Sequence, residues 1–179
     1  RSMASSKRIF DLLKTNEHIP ENTDPKIVYN LKQDIRYTNV SFRYPKGADL
    51  FHNFSMEIKY GSSVGIVGDT GSGKTTLAKL LLRLYDPLSG EIFIGDDNIS
   101  NISIENLRSK IGIVSQDTFL FNASIKENIS YGNQSCSDEE IILAAKQSQC
   151  DEFISLMKDG YDTLIGERGQ RLSGGQRQR

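Results

Sequence analysis

An apolar run, Ser63 to Val67, leads without a break into Gly68-Asp69-Thr70-Gly71-Ser72-Gly73-Lys74-Thr75, and a helical pattern follows from Thr75 to Tyr85. Few local sequences constrain a fold as tightly. The run fits G-x-x-x-x-G-K-[ST] in full, in the strand–loop–helix context that the pattern requires. Loop amides can converge on phosphate oxygens, and the helix start adds its positive dipole end. Gly68, Gly71 and Gly73 let the backbone turn tightly with no Cβ in the way. Lys74 can reach terminal phosphates as a point charge, and the Thr75 hydroxyl can meet Mg2+. This spacing predicts a nucleotide-binding α/β core. It does not separate an ATPase from a GTPase or a kinase.

The surrounding pattern agrees with a mixed α/β chain. Ile35 and Tyr37, then Val40, Phe42 and Tyr44, alternate with a slip at Thr38-Asn39 that predicts a bulge. Phe54, Met56 and Ile58 alternate as a second strand, and Tyr60-Gly61 turns the chain. Asp86-Pro87 stops the long helix. Strands are expected at 91–94 and 111–114, and short helices at 104–109 and 124–129. Ser137 with Glu140 forms a capping box for a helix through Gln147, and a further helical piece spans 151–158 up to Gly160. The N-terminal 4–32 reads as a short helix near 5–13, with Ile9, Leu12 and Leu13 on one side, and a polar linker from Lys14 to Lys26. That helix is either a cap on the domain or the tail of a connection from an upstream one. Arg1-Ser2-Met3 reads as a cloning scar.

Composition removes some functions. Lys and Arg number 22 against 23 Asp and Glu, for a net charge of -1. No basic footprint for nucleic acid is present. Cys136 and Cys150 lie in helix-like sequence at no metal-ligand spacing and read as reduced thiols. His18 and His52 are too far apart for a local metal cluster. No stretch reaches the ~18 apolar residues of a membrane span; the apolar helix from Leu77 to Leu84 carries Lys79 and Arg83.

Several motifs together resemble the nucleotide-binding domain of ATP-binding-cassette transporters of the exporter type, over about Ile35 to Arg179. Beside the glycine loop, Leu172-Ser173-Gly174-Gly175-Gln176 matches that family's signature without substitution. The resemblance implies that Ser173, Gly174, Gly175 and Gln176 open a helix and face ATP held by a second domain. Tyr44, in Val40-Ser41-Phe42-Arg43-Tyr44-Pro45, occupies the place of an aromatic that stacks on adenine; packing on the sheet is the plainer reading. Gln116, in Val114-Ser115-Gln116-Asp117, corresponds to a residue that reaches Mg2+ and the water near the γ-phosphate. Phe119, Leu120 and Phe121 correspond to a groove for a coupling helix of the membrane domain, or belong to the core of a helical lobe. Gly166-Glu167-Arg168-Gly169 resembles a stretch specific to exporters. Ser6-Lys7-Arg8-Ile9-Phe10-Asp11-Leu12-Leu13 resembles the segment after the last membrane helix.

The implied fold is an α/β P-loop NTPase core with an N-terminal antiparallel β subdomain and a helical subdomain at about 117–179, within a domain spanning 33–179. The implied function is ATP binding and, in a longer protein, hydrolysis that drives export. Lys74 and Gln116 would be the catalytic residues. Tyr44, Gly68 to Thr76 and Gln116 would bind ATP, with Thr75 and Gln116 on Mg2+. Two such domains would pair head to tail at the cytosolic or matrix face of a membrane. A soluble cassette ATPase of DNA repair or translation, and an inactive nucleotide-binding regulatory module, are the alternatives. In the family, a strand ending in Asp, then a Glu and a His, follow the signature, and the C-terminal part of the core would lie past Arg179. Asp117, Glu139, Glu140 and Asp151 have no context as substitutes. The chain as given is therefore expected to bind ATP weakly without turning it over, and phosphate release above that of a Lys74→Ala control would refute this.

Overall fold

The computed structural model describes Lys7, Phe10, Leu13 and residues 19–28, 32–115 and 118–179. The expected helix at 5–13 therefore falls mostly outside the described residues, although Lys7, Phe10 and Leu13 are helical positions. Gln116 and Asp117 also lie outside them. The chain forms two compact units, divided between Gly112 and Ile113.

The first unit is built on an antiparallel sheet. Strand β1 (Ile35–Arg43) pairs with β2 (Asp49–Ile58), so that Ile35 faces Ile58 and Tyr37 faces Met56. The register shifts between Tyr37 and Val40, and Asn39 takes φ 49° there. Asn tolerates this left-handed geometry better than most residues. The bulge keeps Tyr37, Val40 and Phe42 on one buried face across the slip. Helix α1 (Lys74–Leu81) buries Thr76, Leu77 and Leu80. Strand β3 (Ser89–Ile94) pairs with β1, and β4 (Asp97–Asn98) closes the order β2-β1-β3-β4. Gly90 of β3 faces the bulge at φ 82°, where a Cβ would stand 2.3 Å from the Asn39 carbonyl oxygen. Helix α2 (Ile104–Ser109) completes the unit, with Ser103 as its N-cap.

Tyr37 positions α1 against this sheet. Its phenol donates to the Leu77 carbonyl at 3.0 Å, and burial pushes its pKa up. The described part of the expected linker is tied down. Lys26 forms a bridge with Ile102, the Val28 N–H donates to Asn106 Oδ1 at 2.9 Å, and Lys26 pairs with Asp97.

The second unit holds α3 (Ile125–Ser130), α4 (Asp138–Gln147), α5 (Asp151–Ser155) and α6 (Gly174–Gln178). Its core gathers Ile125, Ala145, Cys150, Ile154, Ile165 and Leu172. Three of these helices begin with a capping box, at Ser124/Glu127, Ser137/Glu140 and Ser173/Gln176. At the first, the Ser124 amide and hydroxyl hold the Glu127 carboxyl below its ordinary pKa. Both cysteines are free, and neither lies inside a helix: Cys136 precedes the cap of α4 and Cys150 is the N-cap of α5.

Several expectations need correction. The segments 63–67 and 111–114 join no ladder among the described residues. Val64, Val67, Ile113 and Val114 are 49%, 97%, 56% and 89% exposed. An apolar run becomes a buried strand only with a neighbour on each side, and periodicity carries no information about neighbours. Helix α1 stops at Leu81 rather than Tyr85, because Arg83 turns left-handed at φ 47°. Helix α5 stops at Ser155 rather than Lys158. No helix of the described residues is long and apolar enough to cross a membrane.

Candidate functional site

The glycine loop and Tyr44 meet in the first unit. A cleft of about 320 Å³ is lined by Tyr44, Gly47, Leu50, Gly71, Gly73 and Lys74 to Thr76. Its floor follows from backbone geometry. Gly73 is the N-cap of α1 at φ 96°, with no side-chain acceptor for the helix's first amides. The Thr76 N–H turns back to the Gly73 carbonyl at 2.9 Å, and the amides before it, at a helix start, suit an outside anion. A Cβ on Gly73 would lie 2.6 Å from the Phe51 ring, and one on Gly68 would lie 2.7 Å from Ser72 Oγ. Gly71 needs glycine for its φ of 86°. The Ser72 N–H donates to the Asp69 carbonyl at 3.2 Å and closes the loop's turn.

Lys74 gives the cleft its charge. Its ammonium donates to the carbonyls of Gly68 and Asp69, each at 2.7 Å. The cation is thus folded back over the loop, above the start of α1. Thr75 is exposed at the helix's second position, whereas Thr76 is buried. Hydroxyl oxygen is a fitting ligand for a hard divalent cation that also takes phosphate oxygens. The glycine cradle, the cation and the adjacent hydroxyl fit a Mg2+-bound polyphosphate.

Tyr44 stands where β1 ends. Its carbonyl accepts from the Gly47 N–H at 2.9 Å, and its hydroxyl lies 3.0 Å from that of Thr76. Phe42 and Tyr85 meet its ring edge-on, at 5.0 and 5.1 Å between centroids. Sequence reasoning missed Lys79 and Tyr85 as neighbours of Tyr44. Helical spacing places Lys79 one turn beyond Thr76, but that Tyr44 lies beside this face is a tertiary fact.

The signature residues belong to the second unit. Ser173 Oγ accepts from the Gln176 N–H at 3.2 Å, and Gln176 Oε1 accepts from the Ser173 N–H at 2.9 Å. Gly174 and Gly175 begin α6 with ordinary negative φ, and a Cβ on either would meet nothing within 4 Å. Among the described residues, neither packing nor conformation demands glycine there. Arg177 donates to the Leu172 carbonyl at 2.7 Å and anchors the turn before the helix. The 166–169 stretch is a tight turn, with Gly166, Arg168 and Gly169 at φ 73°, 51° and 66°. Leu120 packs on the core, while Phe119 and Phe121 are 64% and 38% exposed. Phe121 stacks on Tyr131 at 4.3 Å.

Comparison with known proteins gives one consistent result. The ABC transporter family matches residues 51–179. The chain is 42% identical over 179 residues to an uncharacterized ABC transporter ATP-binding protein, YwjA, of Bacillus subtilis, covering 100% of this chain and 31% of that protein. It is 43% identical over 176 residues to ABC transporter B family member 2 of Dictyostelium discoideum, covering 96% of this chain and 13% of that one. A solved structure of a bacterial Atm1-family ABC exporter with ATP bound superposes at a TM-score of 0.87 with 39% identity, over 98% of this chain and 31% of that chain. The chain therefore spans less than a third of the length of these relatives.

Proposed function

Because the chain belongs to the ABC transporter family, we propose that it is the nucleotide-binding domain that binds MgATP and, within a longer protein, hydrolyses it to drive export across a membrane. The observation that carries this reading is Lys74, the first residue of a glycine-capped helix, whose ammonium is held on two loop carbonyls at 2.7 Å. That arrangement concentrates one cation and several oriented amides where a triphosphate end would sit.

In this reading Tyr44 stacks on adenine, and Gly68, Asp69, Thr70, Gly71, Ser72, Gly73, Lys74, Thr75 and Thr76 hold the phosphates. Thr75 and Gln116 hold Mg2+, which neutralises phosphate charge when bound. Ser173, Gly174, Gly175 and Gln176 serve the ATP of a second domain, paired head to tail. The open space at Gly174 and Gly175 supports this, since an outside group can approach their backbone closely. The exposed Phe119 and Phe121 form the contact for a coupling helix of the membrane domain. The domain then works at the cytosolic or matrix face, and export rests on likeness to the exporter whose structure holds ATP. The reaction splits ATP with water into ADP and phosphate.

Equilibrium dialysis with labelled ATP and Mg2+ tests the first step. Saturable binding displaced by ADP is the expected result. Absence of binding at millimolar ATP would overturn the proposal.

A further inference from the structure

Tyr44 is gripped by the helix that carries the phosphate-binding lysine. Its hydroxyl lies 3.0 Å from that of Thr76, in the first turn of α1. One turn on, the Lys79 ammonium stands 5.6 Å from the centre of the Tyr44 ring, within the range of cation–π attraction. Just past the helix, Tyr85 meets the ring edge-on at 5.1 Å and 89°. A tyrosine at the end of a strand, before a proline and a turn, has no such restraint from its own segment. Here, beside Phe42 and the Gly47 hydrogen bond to its backbone, these side-chain restraints come from α1 and its exit.

We propose that Thr76 and Lys79 are positioning residues for the purine platform. The hydroxyl pair fixes the ring's direction, and the Lys79 cation over the ring holds its tilt for the base. Base and phosphates are then read by parts of one rigid element, with Lys74 at its start and Lys79 on its second turn. This inference rests on the nucleotide-binding reading above. An unheld ring spends only part of its time in the stacking orientation, and apparent affinity falls by that fraction. Loss of one hydroxyl–hydroxyl bond, or of one cation–π contact, lowers the ratio of held to unheld orientations about fivefold, and the held fraction by at most that factor.

The test compares the affinities of MgATP and Mg-tripolyphosphate for this chain by titration calorimetry. Tripolyphosphate carries the phosphates without the base. Tyr44→Phe keeps the ring and removes the hydroxyl; Lys79→Met keeps the stem and removes the cation. Each is expected to weaken ATP binding about twofold to fivefold and to leave tripolyphosphate binding unchanged. Lys79→Arg, which keeps a cation for the ring, is expected to restore ATP affinity, and this separates positioning from mere support of the fold. Equal loss for both ligands in Lys79→Met would mean that Lys79 acts on the phosphates, and would overturn the proposal. Tyr44→Ala separates the two readings. If it weakens ATP selectively while Tyr44→Phe and Lys79→Met do not, only the positioning inference falls. If Tyr44→Ala leaves the preference for ATP over tripolyphosphate intact, the platform reading falls as well.

Discussion

Replacing Lys74 by alanine is expected to weaken MgATP binding about a hundredfold. Two losses combine. The ammonium is the cleft's own cation, and a hydrogen bond to a charged group contributes roughly 1.5–3 kcal/mol, so loss of its contact with the terminal phosphates alone removes one to two orders of magnitude. The same ammonium also holds the Gly68 and Asp69 carbonyls at 2.7 Å. Without it the loop loses the cation that draws these two carbonyls together. Folding should be unaffected, because Lys74 sits at the first position of α1, where alanine is a good helix former. Dialysis with labelled ATP, paired with a thermal melt, checks both halves. Binding within threefold of the parent, at an unchanged melting temperature, would show that the loop is not the phosphate site.

What could be read in advance was local. The glycine loop and the start of α1 follow from residues within one turn of each other. So does the bulge at Thr38-Asn39, where an Asn with φ 49° absorbs the slip in alternation. The Ser137/Glu140 box is visible because its two partners are three residues apart, and the same spacing at Ser124/Glu127 and Ser173/Gln176 is equally readable by that rule. The strand expectations at 63–67 and 111–114 failed for the opposite reason. Their state depends on which strands lie beside them, and an exposed Val67 or Val114 looks no different in sequence from a buried one. Likewise, Tyr44 is marked by resemblance alone, while the contacts of Thr76, Lys79 and Tyr85 with it arise only when α1 packs against β1. For Gln116, the resemblance assigns a role to a residue that lies outside the described positions.

Replacing Arg83 by methionine is expected to destabilise the chain by about 4 kcal/mol. In the sequence Arg83 is one charge on an apolar helix, yet in the fold it is 1% exposed. Its guanidinium donates to Asp86 Oδ1 at 3.2 Å, to the Ser100 carbonyl at 3.2 Å and to the Pro20 carbonyl at 3.0 Å, with longer bonds to the carbonyls of Ile99 and Ile102. One side chain thus ties together the exit of α1, the turn before α2 and the N-terminal segment. The planar fork of donors makes this possible, and a lysine could not reach so many acceptors. Methionine restores most of the apolar volume, so the loss reports the buried carbonyls and the Asp86 carboxylate left without a donor. Because Asp86 is partly exposed, water compensates some of its share, and the carbonyls dominate. Denaturant unfolding followed by circular dichroism gives the number, and hydrogen exchange at Lys26 and Val28 should quicken as the Pro20 tether is lost. A cost under 1 kcal/mol, with exchange unchanged, would mean that the hydrophobic contacts of Leu77, Leu80 and Ile102 hold the unit together without Arg83.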